Sequence, residues 1–449
     1  MLADAIARYH DLLTDAVAAD SQAVLEARTR DAGLYFGERP VCTVLRPRFL
    51  TPDQFQFLRR RMKALVPAFQ RAYSVALTDA TFRAQFGLRE IEETLFAADP
   101  GFPDPSPTAR YDAFFVSDRE LKFTENNAET PAGAGYNDAL TDVFYSLPVV
   151  RAFSQRYLLR PLPARTHILN ALLGTYEQWR GHRSSLPKIA IFDWEGVPTV
   201  SEFRIFQSYF ASHGLECGIF TPEQATYEGG KLRVGDYVID LIYKRVLISE
   251  LLEKGGLTHP IVRAVLDGAV CMVNAFRCKL LYKKASFAVL SDERNADLFA
   301  AEQRQAIADH IPWTRVVVER STEFCGQTID LVPYIAANRE TFVLKPNDEY
   351  GGKGIVLGWT VDQPAWEAAV RHALTEPYVV QEKVGLPHED YPSFHNGKVH
   401  LIDRVLDTNP YVGPSGTMDA CLTRISTEAL VNVTAGGGST VPTFTIDER

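Results

Sequence analysis

The chain has 449 residues, 46% hydrophobic and 23% charged, with 47 basic against 56 acidic side chains and a net charge of −9. A chain of that length outgrows one core and divides into two or three packed units. Its acidic balance argues against a general nucleic-acid binder, which draws on clustered Lys and Arg. The six cysteines are scattered, with neither a CxxC pair nor a Cys/His cluster, and read as free thiols of a reducing compartment. The first ten residues lack the apolar core of a signal peptide, and no apolar run approaches the ~20 residues of a membrane span. A cytoplasmic protein without membrane or nucleic-acid partners is the expectation.

In chain order, residues 1–105 read as mainly helical. Ile6, Tyr9, Leu12, Leu13 and Val17 recur at helical spacing, and Thr51-Pro52 can cap and start a second helical stretch, with a strand near Val41–Leu45 between them. The Pro- and Gly-rich run at 99–107 breaks that pattern. In the unit 106–185, Tyr111–Val116 and Leu121–Glu125 read as a hairpin that brings Asp112 and Glu125 to the same end, followed by the loop Asn126-Asn127-Ala-Glu129-Thr-Pro131-Ala-Gly133. Residues 186–275 alternate short apolar strands (188–192, 216–220, 237–244) with a helix over 200–213, the pattern of a parallel α/β unit. No GxGxxG follows the first strand, and no P-loop signature is present. The last unit, 276–449, carries Lys279, Lys283 and Lys284 on one helix, read as a solvated face, then a helix near 363–374, a strand at 378–384 and a β-rich end at 400–406, 420–425 and 431–433. The five tryptophans, 179, 194, 313, 359 and 366, read as packing residues.

One stretch of the last unit is built for an anion. Phe342-Val-Leu-Lys345-Pro is an apolar strand ending on a lysine. Gly351, Gly352, Lys353 and Gly354 then form a turn before the second strand, Ile355-Val-Leu. Glycines permit positive φ, so backbone N–H groups can approach a phosphate, with Lys345 and Lys353 adding charge. A plain hairpin is the alternative reading. The hard oxygens of Asp112, Glu125 and Asn127 suit magnesium, and Arg424 and Asn432 could reach the same phosphates. Each of these residues alone also has an ordinary role as a turn cap or surface ion pair. Arg110, Arg204 and Arg404 each offer a guanidinium fork to a substrate carboxylate, or to a structural partner.

Taken together, Val343-Leu-Lys345-Pro, the glycine loop, and Val379-Val-Gln381-Glu382-Lys383-Val384 resemble the nucleotide-binding half of ATP-grasp enzymes. Glu125-Asn126-Asn127 resembles their E-x-N metal motif but lies upstream. That order is similar to the circularly permuted ATP-grasp proteins related to glutathionylspermidine synthetase, and the likeness runs from about residue 108 onwards. It implies an α/β (α+β) ATP-grasp fold, circularly permuted, with 186–275 as a pre-ATP-grasp subdomain and a helical N-terminal region that matches nothing in the family. It further implies ATP and Mg2+ as cofactors. Lys345 and the 351–354 loop would lie on the phosphates, Gln381 to Val384 at adenine, and Asp112, Glu125 and Asn127 on magnesium. Arg424 would lie on the transferring phosphoryl group, with Arg110, the basic pair Lys244 and Arg245, and Asn432 around the cleft. The activity implied is amide formation between a small-molecule or peptide carboxylate and an amine through an acyl phosphate. A kinase of the same fold and a non-catalytic nucleotide-binding protein remain the alternatives.

Overall fold

The computed structural model describes residues 1–182, 185–429, 431 and 438–449. Helices Leu2–Leu12 and Asp15–Asp31 open the chain, and a long helix, Pro52–Thr78, follows. The Thr51 hydroxyl accepts the Gln54 N–H at 3.1 Å and Gln54 returns a carbonyl to the Thr51 N–H at 3.0 Å, a reciprocal cap with Pro52 in the first turn. The strand expected at 41–45 lies instead at Arg48–Leu50. It pairs in parallel with Thr443–Glu448, whose other side holds Tyr157–Pro161, and this partner late in the chain decides its position.

Ala109–Ser117 and Glu120–Asn127 form the expected hairpin, with Asp112 opposite Glu125 and Arg110 opposite Asn127. Side chains alternate along a strand, so these four share one face. Tyr111, Ala113 and Phe115 point to the other, into a core built with Phe57, Leu65 and Phe69 of the long helix. Phe69 meets Tyr111 edge-on at 5.3 Å and Phe287 at 5.4 Å, so this helix props both the hairpin and the segment after residue 284.

The hairpin belongs to a seven-stranded sheet. Its strand Ala109–Ser117 pairs with Asn409–Val412, which continues through Ala420–Ser426 to the hairpin His388–His395/Lys398–Leu406, and Gly438–Val441 pairs off the path with Ala420–Ser426. The expected α/β unit is present as four parallel strands ordered Cys271–Val273, Leu241–Lys244, Ile189–Phe192, Cys217–Phe220, beside the helix Val200–Ser212. The strand expected over 237–244 is two: Tyr237–Val238 pairs with Lys231–Val234, and the chain bends at Ile239-Asp240 before entering the parallel sheet. A further sheet, antiparallel, orders Thr314–Val316, Tyr378–Glu382, Phe342–Pro346 and Val356–Leu357. Of the strand expected at 431–433, Val431 is outside any strand and the rest lies beyond the described residues.

The lysine segment differs most from expectation. Cys278–Tyr282 and Ala285–Ser291 are separate short helices, and Lys279, Lys283 and Lys284 are buried rather than solvated. Among the described residues no helix is long and apolar enough to cross a membrane. Replacing Thr51 by Ala is expected to cost about 1 kcal/mol through loss of the cap, read as a lowered melting temperature with unchanged far-ultraviolet circular dichroism.

Candidate functional site

Where the hairpin face meets the antiparallel sheet, two adjoining cavities of about 440 and 110 Å³ share Asp112, Glu125, Ile355, Arg424 and Val431 in their walls. The smaller adds Lys345, Gln381, Glu382 and Val384 among apolar Val343, Leu357, Trp359 and Leu386. The larger adds Arg110, Asn127, Gly351 and Gly352. The glycine loop and the acidic hairpin therefore face one cleft.

Lys345 makes the junction between the two sheets. Its ammonium donates to the Thr124 carbonyl at 3.1 Å and to the Gln381 side-chain oxygen at 2.7 Å. Burial lowers its pKa to about 8, against the pull of the nearby Glu125 carboxylate. Gln381 in turn donates to the Thr314 hydroxyl at 3.1 Å, so its amide positions Lys345 from within the sheet.

Arg110 grips Asp112 through Nε at 2.8 Å and Nη2 at 3.4 Å, and Arg424 reaches the same carboxylate at 2.7 Å while its Nε donates to Asp407 at 2.8 Å. Burial alone would raise the Asp112 pKa. The two guanidiniums outweigh it and hold the carboxyl far below the usual range. Asp407 goes the other way: burial, helped by the Asp112 charge, raises it in spite of Arg424. Glu125 lies 3.0 Å from the Lys284 ammonium, and the buried Asn127 amide nitrogen has no hydrogen-bond partner among the described residues. Asp112, Glu125 and Asn127 thus share a face, with two of the three already bound by cations. Among the described residues no group of three or more His, Cys, Asp or Glu is spaced to hold a metal.

The loop is fixed at its base. Asp348 takes Lys279 at 2.6 Å and Lys283 at 2.7 Å, and burial notwithstanding, these ammoniums lower its pKa to about 2. The Lys284 ammonium donates to the Glu349 carbonyl at 2.6 Å, and Asn347 accepts the Ala285 N–H and donates to the Phe86 carbonyl. Beyond this base Gly351, Gly352 and Gly354 have φ of 65°, 78° and 72°, the region glycine enters without a Cβ clash. Tyr350 and Lys353 are exposed.

Several expected site residues stand elsewhere. Lys244 is buried behind the cleft, donating to the Val246 carbonyl and facing Glu129. Lys353 pairs with Glu349 at 3.2 Å in solvent, the Gly354 carbonyl accepts the Tyr378 hydroxyl, and the Lys383 ammonium lies 4.3 Å over the Trp359 ring. The backbone N–H groups of Glu382 and Lys383 are spent on the Trp313 and Thr341 carbonyls. Arg204 lies on a separate groove with Arg28, Asp142 and Tyr209, and Asn432 is outside the described residues. Trp194 and Trp359, expected only to pack, line the cleft, together with Arg245, Asp193, Glu250 and Tyr282.

What the sequence reading missed is the buried charge beneath the cleft. Glu129, fully buried, accepts the Ile248 N–H at 2.5 Å and pairs with Lys279 at 3.1 Å. Glu202, equally buried, accepts the Gly133 and Gly135 N–H groups and pairs with Arg245. The available signal was local: the three lysines sit within an otherwise apolar run, with Leu280-Leu281-Tyr282 between Lys279 and Lys283 and Ala285-Ser-Phe-Ala-Val-Leu290 after Lys284.

The fold is a mixed α/β one, similar to that of a glutathione synthetase-like protein. A solved glutathione synthetase-like effector from Globodera pallida, in apo form, superposes with a TM-score of 0.59 over 95% of this chain and 96% of that one, at 11% identity, a likeness of fold alone. In sequence, 211 residues, 45% of the chain, are 26% identical to a Frankia alni protein carrying the provisional name glutamate–cysteine ligase 2-3. The chain spans 23% of that protein's length. No protein-family model matches the sequence.

Replacing Lys279 by Met leaves Glu129 and Asp348 each short of one cation in a buried setting. The expected cost is about 3 kcal/mol, visible as a drop in melting temperature.

Proposed function

We propose that the protein is an ATP-dependent carboxylate–amine ligase with a permuted ATP-grasp architecture, working through an acyl phosphate with ATP and Mg2+. The observation that carries it is the contact of Lys345 with the acidic hairpin, which sets a glycine-rich phosphate loop and a hard-oxygen donor set on one cleft. The permuted reading is supported by the pairing of Tyr411 with Arg110, through which a hairpin early in the chain completes a sheet built mostly from its end. The two relatives named for synthetase and ligase activities favour the same class.

Each residue then has a task. Val343, Leu357, Trp359 and Leu386 offer an apolar slot for adenine beside Glu382 and Val384. Lys345, cationic at neutral pH, meets the phosphates. Arg424 and Arg110, already desolvated, meet the phosphoryl group in transfer, where preset charge is most effective. Asp112, Glu125 and Asn127 would hold magnesium once Arg110 and Arg424 turn from Asp112, and Lys284 from Glu125, to the phosphates; the ion would neutralise phosphate charge. A substrate carboxylate oxygen attacks the γ-phosphorus and ADP leaves; an amine then attacks the acyl carbon, loses a proton and expels phosphate. The 351–354 loop would close over the phosphates and keep water from the acyl phosphate. Lys244 serves from behind, as a partner of Glu129.

MgATP is expected to raise the melting temperature, and Lys345→Ala or Glu125→Ala to abolish that shift; a protein indifferent to MgATP refutes the reading. An ADP-release screen over pooled carboxylates and amines, with product masses, separates an amide formed with loss of water from a phosphorylated product, which would make the protein a kinase.

The lysine also predicts a pH profile. Below pH 8 Lys345 keeps its proton and its attraction for phosphate; above it the proton is lost before nucleotide binds. MgATP affinity should therefore weaken by up to about tenfold per pH unit above 8. Titration of Lys345→Arg, charged throughout, should show no such slope.

A further inference from the structure

A second group of buried cations lies apart from the cleft, where the N-terminal region meets the hairpin His388–His395/Lys398–Leu406. Arg46 is fully buried; its Nη2 donates to Glu389 at 2.8 Å and to the Asp390 carbonyl at 3.1 Å, and its guanidinium stacks 4.1 Å over the Tyr391 ring. Arg48, 5% exposed, takes the other oxygen of Glu389. Arg404, 9% exposed, stands directly across the strand pair from Glu389. Because Glu389 is turned to the other two, Arg404 has neither an ion pair nor a hydrogen bond among the described residues.

Two guanidiniums therefore share one carboxylate and a third stands beside it unpaired, an excess of two positive charges. Neighbouring groups do not supply the balance. Asp390 and Asp403 lie on the hairpin's other, exposed face; the Asp390 charge reaches His10, but neither carboxylate forms an ion pair with the three arginines among the described residues. Cys42 is a buried thiol whose pKa burial raises to about 12. His10 is lowered to about 4, by burial and then by the Arg46 charge, and stays neutral. Donors are also left over: Nε of Arg46, Arg48 and Arg404 and the hydroxyl of Ser393, itself 1% exposed, are buried without hydrogen-bond partners among the described residues. Burying one unpaired charge costs several kcal/mol, and buried polar groups are otherwise satisfied. Glu389, 22% exposed at its side chain, gives the cluster an edge on solvent.

We infer that Arg48, Arg404, Ser393 and Arg46 form a site for a phosphate dianion, free or as a phosphomonoester, separate from the nucleotide cleft. Two negative charges meet the excess, and tetrahedral oxygens accept from both forks and the hydroxyl. An occupied site would clamp residues 46–48 onto the late hairpin.

The test is thermal unfolding in inorganic phosphate, and separately in glycerol phosphate, against sodium chloride of equal ionic strength. Wild-type protein and Lys345→Ala should both gain several degrees, whereas Arg404→Gln, shown folded by near-ultraviolet circular dichroism, should gain none. Ser393→Ala, which keeps all three charges, should need several-fold more phosphate for the same gain, and decides the matter if Arg404→Gln does not fold. The inference is overturned if wild-type protein shows no gain, if Arg404→Gln keeps it, or if Lys345→Ala loses it, since the last would place the anion in the nucleotide cleft.

Discussion

The cleft exists because three ammonium groups, on Lys279, Lys283 and Lys284, are buried under it and must each find a carboxylate. Glu129 comes from the loop after the hairpin, Glu92 from the N-terminal helices, Asp348 from the base of the glycine loop, and Glu125 from the hairpin face. Pieces more than two hundred residues apart are drawn to one six-residue stretch. A buried pair is weak evidence for stability, since desolvation offsets much of the attraction, but it is strict about geometry because a partner withdrawn leaves a bare charge. Here that strictness places a loop of one sheet over the acidic face of another.

The helical N-terminal region, which the sequence could not connect with the rest, has a part in the same arrangement. Phe69 packs against Tyr111 on one side and Phe287 on the other, behind the hairpin and behind the lysine segment. The Phe86 carbonyl receives the Asn347 amide at the loop base, and Glu92 pairs with Lys283 at 2.9 Å. The region is a buttress for the cleft and contributes to its wall only Phe36 and Val41.

Much of this was legible from local pattern. Alternation gave the hairpin and its Asp112–Glu125 register, the glycines gave the turn after Lys345, and Thr51-Pro52 gave the start of the long helix. What failed was decided at long range. A strand at 48–50 needs a partner at 443–445, and nothing near 41–45 reports it. The three lysines read as solvated because lysine is so rarely buried, and their acids are distant in sequence. The resemblance put the pair Lys244 and Arg245 at the cleft, yet the Lys244 strand lies in the middle of the parallel sheet and its end is covered by Glu129. Arg245 does reach the cleft.

The fixed base of the glycine loop sets the mechanics of the whole cleft. One end is held by Asn347 and Asp348, and the other enters the strand Val356–Leu357, which pairs with Val343 and Leu344. The span between the two anchors is roughly seven residues, whose contour allows an excursion of only about 12 Å. A flap of that reach behaves as a shutter on two nearby pivots. Its proposed closure over the larger cavity, which Gly351 and Gly352 line, would leave both sheets standing still, so opening would demand no rearrangement of the core, at the speed of a short loop and not of a moving domain.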